Sequence, residues 1–480
     1  MLHMKPVSLD NILSQPVAKR ANYLLNICQE NQWFDRKSIG IDMNSIARPI
    51  IAFANAEGGV IALGVSNGKA EGVRQRPEIE NDLPQAIHDY IRPPINVSID
   101  TVDIINSDEK PDKIIILTIA PSDTVHEDNK GKCFLRIGDE SRELSHSERL
   151  ELEYNKGVRQ YDGELIKGSN TRDLDKDLVK EYAKNVGSKS KDPVNVLKAR
   201  FLIGTRNQQT NACHILFSKH PQDIFPQSSV RITRFLSDER GTGAHLNIDA
   251  DNDYRFDGNI PTLLRKSIKT IEKIIYKKKS LGSNGEFMFQ DIIPRDVWLE
   301  GIVNAFIHRS YSLSGDYIHI ELYPTRVEII SPGVFPGFAK TTDLLKISRF
   351  ARNPRIARVC TELRFGQELG EGIKRMVTEM RKIGYIDPIY TQSSGNVQLR
   401  LEAVLRLSES LSNELPSRSE DVLNIIRLNP NGIGTGDIMV ALNMTRPTAS
   451  LRLQRLEEKG LIIRHGKSAT DPRAVWLIND

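Results

Sequence analysis

Arg418-Ser-Glu-Asp-Val-Leu-Asn-Ile-Ile-Arg-Leu-Asn-Pro-Asn-Gly432 opens a run of three short amphipathic segments near the end of this 480-residue chain. Val422, Leu423, Ile425 and Ile426 recur at helical spacing and predict a helix over 419–428. Asn429-Pro-Asn-Gly432 breaks it. Thr435-Gly-Asp-Ile-Met-Val-Ala-Leu442 predicts a second helix, and Asn443-Met-Thr-Arg-Pro447 a tight turn. Pro447 suits a first helical position, where its missing N–H costs nothing. A third helix, Thr448 to Lys459, is stopped by Gly460. Leu461–Arg464 and Ala474–Ile478 read as two strands joined by a basic loop.

This order reads as a winged helix-turn-helix, a fold that reads duplex DNA. Leu451 and Leu456 are expected to face inward on the third helix, leaving Thr448, Ser450, Arg452 and Arg455 outside, with Arg446 at its start. Short hydroxyl and Arg side chains there suit groove readout. From Thr445 to Arg473 there are seven Lys/Arg and three Asp/Glu, an excess that favours phosphate contacts. Arg464, His465, Lys467 and Arg473 would make the wing basic. A winged helix used only for protein contacts is the alternative.

A chain this long exceeds one hydrophobic core, so several domains are expected. The net charge is only +4, so nucleic-acid affinity must be local. Cys28, Cys133, Cys213 and Cys360 form no CxxC pair, which argues against a zinc ribbon and a disulfide scaffold. No run of about 18 apolar residues predicts a membrane span. No basic-then-apolar leader is seen, and a cytoplasmic location is expected. Leu405–Arg418, rich in Ser, Glu and Asn, is the clearest linker.

In the first 155 residues, Ile46–Ala56 is helical in pattern, Ala56-Glu-Gly-Gly59 ends it, and Val60–Val65 is a buried strand. Strands at Ile95–Ile105, Lys113–Ala120 and Cys133–Gly138 complete an α+β order. Three pieces carry a resemblance: Glu30-Asn-Gln-Trp-Phe-Asp-Arg-Lys37, Ala52-Phe-Ala-Asn-Ala-Glu-Gly-Gly59 with Leu63-Gly-Val65, and Phe134-Leu-Arg-Ile-Gly-Asp-Glu-Ser-Arg142. The segment resembles the Schlafen-type AlbA domain. In nucleases of that type, carboxylates matching Glu30 and Asp35, with Lys37 and a third acid, are thought to hold a divalent metal for RNA cleavage. Here Ser66-Asn67-Gly68 stands where the third acid is usual. Two acids hold a catalytic metal poorly, so a nucleic-acid-binding or scaffold role is expected more than cutting. Lys37 paired with Asp35 or Glu30 on a surface strand is the plain structural alternative, and Asn55 and Glu57 read as turn formers.

Between 160 and 290 the patterns are mixed. Asn211–Gln222 looks like a strand entering a Pro-led turn. Val230–Leu236 alternates like an edge strand. Thr262–Lys278 reads as a helix whose basic end, Lys277-Lys-Lys279, suggests a solvated face. Pro294-Arg-Asp-Val-Trp-Leu-Glu-Gly-Ile-Val-Asn-Ala-Phe-Ile-His-Arg-Ser-Tyr311 is then a helix and its exit. Strands over 317–323 and 326–331 follow, and Ser348-Arg-Phe-Ala-Arg-Asn-Pro-Arg-Ile-Ala357 and Phe365–Met376 each lead a helix. This constellation resembles the C-terminal module of RecG-related, or divergent-AAA, ATP-binding regulators, and the order of three modules is similar to that group's. The chain has no G-x-x-x-x-G-K-[ST] loop of a helicase motor.

The module resembles a reduced GHKL-type ATP-binding fold. Glu300 and Asn304 are four apart and share one helix face. The resemblance implies that Asn304 helps hold Mg²⁺ with ATP, that Glu300 orients water, and that His308 and Arg309 lie near the phosphates. Gly366, Gly370 and Gly372 are spaced like a nucleotide lid whose following helix could meet phosphate. Ser331-Pro-Gly333 lacks the Asp that reads adenine in such folds. A hydrogen-bonded helix-face pair is the alternative for Glu300 and Asn304.

The whole reads as an α+β multidomain protein. An AlbA-type α+β domain over 15–155 precedes a connecting region over 160–290. An α/β GHKL-like module over 291–404, a linker over 405–417 and a winged helix over 418–480 follow. The expected function is a homodimeric, nucleotide-responsive transcriptional regulator bound to double-stranded DNA. The rival is a metal-dependent nuclease or an ATP-dependent nucleic-acid-processing enzyme used in defence.

Overall fold

The computed structural model describes residues 7–281, 287–335, 344–346, 350–365, 371–393, 395–404, 407, 409–427, 429, 432–442, 444–466 and 474–479. Helices and sheets mix throughout, as an α+β multidomain chain requires.

In the N-terminal part, strands Phe34–Lys37, Gly59–Leu63, Pro111–Ile119 and Val97–Ile105 lie side by side in that order, the first pair parallel and the others antiparallel. The Met43–Asn55 helix packs on one face through Ile46, Ile50 and Phe53. Asp42 caps its start by accepting from the N–H groups of Asn44 and Ser45. Gly58 turns the chain with φ +77°, and a Cβ there would sit 2.6 Å from the Ile119 carbonyl oxygen. The helix can therefore run straight into the central strand only with glycine at that position. Asn67 and Gly68, both with positive φ, make the two-residue turn between Val65–Ser66 and Lys69–Ala70. The Ser66-Asn67-Gly68 departure thus builds a tight hairpin. Asn55 is no mere turn former. Its buried amide donates to the carbonyls of His126 (2.8 Å) and Phe134 (2.9 Å) and accepts from the His126 N–H.

The middle of the chain, residues 150–406, is one compact unit. Its sheet has six strands in the order Ile248–Phe256, Val230–Phe235, Ile318–Leu322, Arg326–Pro332, Asn396–Glu402 and Ile389–Ser393. The division expected at residue 290 falls inside this sheet, because Val230–Phe235 pairs in parallel with Ile318–Leu322. That pairing also makes Val230–Phe235 an interior strand, correcting the edge assignment. Its polar positions are met across the ladder, where Arg231 and Thr233 both donate to Asp253. Asn211–Phe217 is a helix, not a strand, capped by Thr210, whose Oγ1 accepts from the Cys213 N–H. All seven of its residues are buried, and a run buried on every side carries no clear period to separate the two. Lys277–Lys279 belongs to a hairpin, Lys277–Leu281 against Phe287–Asp291, while the preceding helix ends at Ile274. Trp298, Ile302 and Phe306 of the Arg295–His308 helix join the main core.

The C-terminal part has helices Ser419–Arg427, Thr435–Leu442 and Arg446–Glu458 and strands Ile462–His465 and Val475–Ile478. A third strand, Ile433–Gly434, pairs with Val475 and Trp476. The third helix buries Ala449, Leu453 and Leu456 against Val422, Ile426 and Ile438. Leu451, expected inside, is 48% exposed. Ala449, Leu453 and Leu456 form a consistent i, i+4, i+7 stripe, and Leu451 falls outside it. Among the described residues no helix is long and apolar enough to cross a membrane.

Candidate ligand cavity and nucleic-acid interface

The Arg295–His308 helix sits close on the sheet because Gly301 has no side chain. A Cβ there would lie 2.7 Å from Leu399 Cδ2 and 2.8 Å from Ile329 Cδ1. Between this helix, the sheet and the starts of the Pro354–Glu362 and Gly372–Lys382 helices lies a cavity of about 450 Å³. Glu300, Asn304 and His308, each four residues from the next, line it from one side. Ile329, Val397 and Leu399 line it from the sheet, and Gly372 and Lys374 from the last helix.

Four of the residues nominated for nucleotide binding therefore meet at one cavity: Glu300, Asn304, His308 and Gly372. Arg309 does not join them. Its guanidinium is buried and donates to the carbonyls of Ser310, Gln227, Leu313 and Asp316, at 3.1, 3.3, 3.2 and 2.7 Å. One residue is 100° around a helix, so Arg309 leaves the face that His308 occupies and ties the exit loop instead. Gly366 and Gly370 lie outside the described residues.

Glu300 is engaged on both oxygens. Asn304 Nδ2 donates to Oε1 at 3.1 Å, and Arg375 Nη2 donates to Oε2 at 2.5 Å. A Cβ on Gly372 would collide with the Glu300 carboxylate, so glycine at the helix start is what admits it. This set does not fit a divalent cation as it stands. Each carboxylate oxygen already accepts a hydrogen bond, and Arg375 places a fixed positive charge on the group that would have to attract Mg²⁺. Burial, reinforced by the nearby Arg352 charge, pushes the His308 imidazole down to about 4, which keeps it neutral at pH 7.

The acids of the first domain are placed differently. Asp35 is 1% exposed, so the strand carrying it is not the surface strand expected. Its Oδ1 accepts from Lys37 Nζ (2.7 Å) and the Arg36 N–H (2.8 Å), and its Oδ2 from Arg136 Nη1 (3.1 Å). Glu30 pairs with the Arg36 guanidinium at 3.4 Å. Arg136 also lies over the Phe53 ring, 4.7 Å from its centroid. Three cations thus face two carboxylates, the reverse of what a metal centre needs. Among the described residues no three His, Cys, Asp or Glu side chains gather as metal ligands.

On the third helix of the C-terminal part, Arg446 and Ser450 are exposed at its N-terminal half. Thr448 shares a 2.8 Å hydroxyl contact with Thr445. Arg452 folds back, donating to the carbonyls of Ser417 (2.8 Å) and Thr448 (2.9 Å). Arg455 makes a 2.7 Å surface pair with Glu458, weak enough to exchange for a phosphate. Arg464 of the first wing strand lies 5.9 Å from the Trp476 ring centroid. Lys467 and Arg473 lie outside the described residues.

The sequence reading assigns no role to Arg136 and Arg375, the cations that decide the chemistry around Asp35 and Glu300.

Three family models match the chain. "Schlafen, AlbA_2" covers residues 30–145, "Putative ATP-dependent DNA helicase recG C-terminal" covers 315–401, and "Winged helix-turn-helix DNA-binding" covers 418–463. The order of the three matches is that of the RecG-related architecture. The Glu300–His308 face precedes the central segment that matches, whereas Arg352 and Arg375 fall within it. Residues 418–463 supply its DNA-binding domain. No relative among curated proteins matches. A solved structure, the DIP2311 protein from Corynebacterium diphtheriae, is 18% identical over 93% of this chain and 92% of its own, with a TM-score of 0.42.

Proposed function

We propose that this chain is a cytoplasmic transcriptional regulator that binds double-stranded DNA as a homodimer and responds to a nucleotide, ATP foremost, in its central cavity. The observation that carries the reading is the phase of the third helix. Its core stripe of Ala449, Leu453 and Leu456 leaves Arg446, Ser450 and Arg455 facing out. Arg446 and Arg455 serve phosphates or base edges, Ser450 and Thr448 the groove, and the wing cations Arg464, Lys467 and Arg473 the backbone. Arg452 joins them only by releasing Ser417. The 15–155 module is a nucleic-acid-binding domain, with Glu30, Asp35 and Lys37 in structural ion pairs. Glu300, Asn304, His308 and Gly372 shape the nucleotide pocket. A single winged helix buries little surface, and two half-sites restore specificity.

The test is selection of bound duplexes from random sequence with the full chain, with and without ATP. An inverted repeat whose enrichment changes with ATP is expected. A chain lacking residues 418–480 that keeps full duplex affinity would sink the proposal.

A further inference from the structure

The Ile260–Ile274 helix of the middle unit buries Leu263, Leu264, Ile271 and Ile274 in the core. Its remaining surface carries four cations, Arg265, Lys266, Lys269 and Lys273, against one acid, Glu272. The whole chain carries only +4, so the excess is concentrated here. The cations divide into two groups. Arg265 pairs with Glu181, and Glu272 is held by Arg295 at 2.8 Å. Lys266, Lys269 and Lys273 are exposed and have no ion-pair partner among the described residues. At 100° and 1.5 Å per residue they share an arc of roughly 60° and span about 10 Å of helix. Like charges three and four residues apart repel and weaken a helix. An anion laid along the stripe would relieve that repulsion. The sequence draws attention instead to Lys277–Lys279, but there Lys278 donates to the Tyr385 hydroxyl at 2.7 Å and Lys277 faces Asp291 across the hairpin. The unspent charge lies earlier, on the helix.

The geometry selects among anions. A small anion meets one or two of these lysines. Duplex DNA, with one phosphate charge per about 1.7 Å of axis, can meet all three. An anionic bilayer would also need apolar side chains to insert, and those of this helix are in the core. A single strand would need open ring faces for its bases. The neighbouring Tyr254 and Phe256 are half-buried, and Lys266 lies over the Phe256 ring, 5.7 Å from its centroid. Lysine supplies a mobile point charge, which suits phosphate and carries no sequence information.

We propose that the Lys266–Lys269–Lys273 stripe is a further DNA contact, which holds the phosphate backbone of duplex DNA without regard to sequence. The inference goes beyond the reading above, in which the middle unit only senses a nucleotide, and it uses neither the cavity nor the winged helix.

The experiment is fluorescence anisotropy of the full chain on a short random-sequence DNA duplex over a series of salt concentrations. The triple variant Lys266→Gln, Lys269→Gln, Lys273→Gln is compared with the parent. Its affinity should fall by about tenfold or more, and the slope of log K against log salt should become shallower by about 2 to 3. The charge-keeping triple Lys266→Arg, Lys269→Arg, Lys273→Arg should bind as the parent does. A control that removes the same charge elsewhere on the unit, Lys189→Gln, Lys191→Gln, Lys219→Gln, should leave the slope nearly intact. All three sets replace exposed side chains, so unchanged melting is expected and reports an intact fold. If the control loses as much as the stripe variant, net charge alone acts and the stripe is overturned. Tighter binding of duplex RNA through these lysines, or loss of anionic-vesicle binding with DNA binding untouched, overturns the DNA assignment. Arg446→Ala with Arg455→Ala separates this inference from the winged-helix reading. If only that pair weakens binding, the stripe falls and the winged helix stands. If only the stripe variant weakens binding, the stripe stands and the winged helix falls. If the parent binds no duplex, both fall.

Discussion

Asp35 and Glu300 are both nearly buried carboxylates with an Arg partner, in two parts of the chain, yet they do opposite things. Asp35 sits in the first domain with every oxygen held by Lys37, Arg36 and Arg136, and Arg136 is itself 1% exposed. Glu300 lies along a cavity, and its partner Arg375 reaches solvent, with a side chain 38% exposed. The first carboxylate is part of a closed core, the second part of a wall. A charged residue in a plausible motif therefore has to be judged by what stands on its far side: another side chain, or space.

Asp35→Ala should widen that contrast most. It strands Arg136 in the interior and should lower stability by about 3–5 kcal/mol, read as urea unfolding of the full chain. Unchanged unfolding would mean the network is dispensable, and the two acids would no longer differ. The next effect comes from His308, whose folded pKa of about 4 lies below its ordinary value of 6.5. The unfolded chain binds the extra proton between those values. Stability on this account is full above pH 6.5 and falls as pH drops towards 4, by up to about 3 kcal/mol. His308→Gln should flatten that part of the pH profile, and a parallel slope in the variant would rule His308 out as its source. Gly372→Ala should cost about 1–3 kcal/mol through crowding of the Glu300 carboxylate, seen as a lower melting temperature. An unshifted melt would show that the wall gives way freely. The smallest change is expected from Glu300→Gln, about 1 kcal/mol or less, because Arg375 can turn to water. A loss as large as that of Asp35→Ala would erase the distinction.

Periodicity made much of this legible. The four-residue spacing of Glu300, Asn304 and His308 put them on one face before any coordinates, and the breaks at Asn429–Gly432 and Gly460 bounded the C-terminal helices. Where periodicity was absent or doubled, the reading slipped. Asn211–Phe217 is apolar at nearly every position, so its hydrophobic run fits strand and helix equally. The third C-terminal helix carries Leu451 and Leu453 two apart, on different faces, and the small Ala449 decides which face is core. The arginines that pair with Asp35 and Glu300 come from 101 and 75 residues away, distances over which local pattern says nothing.

The absence of a side chain at residue 301 reaches beyond packing. It fixes how low the helix rides, and so how tall a guest the chamber beneath can admit. The bore of the chamber is thus set by main-chain height at a position bearing no polar group. Evolution can retune it by adding or removing one methyl there, leaving the recognising atoms as they are.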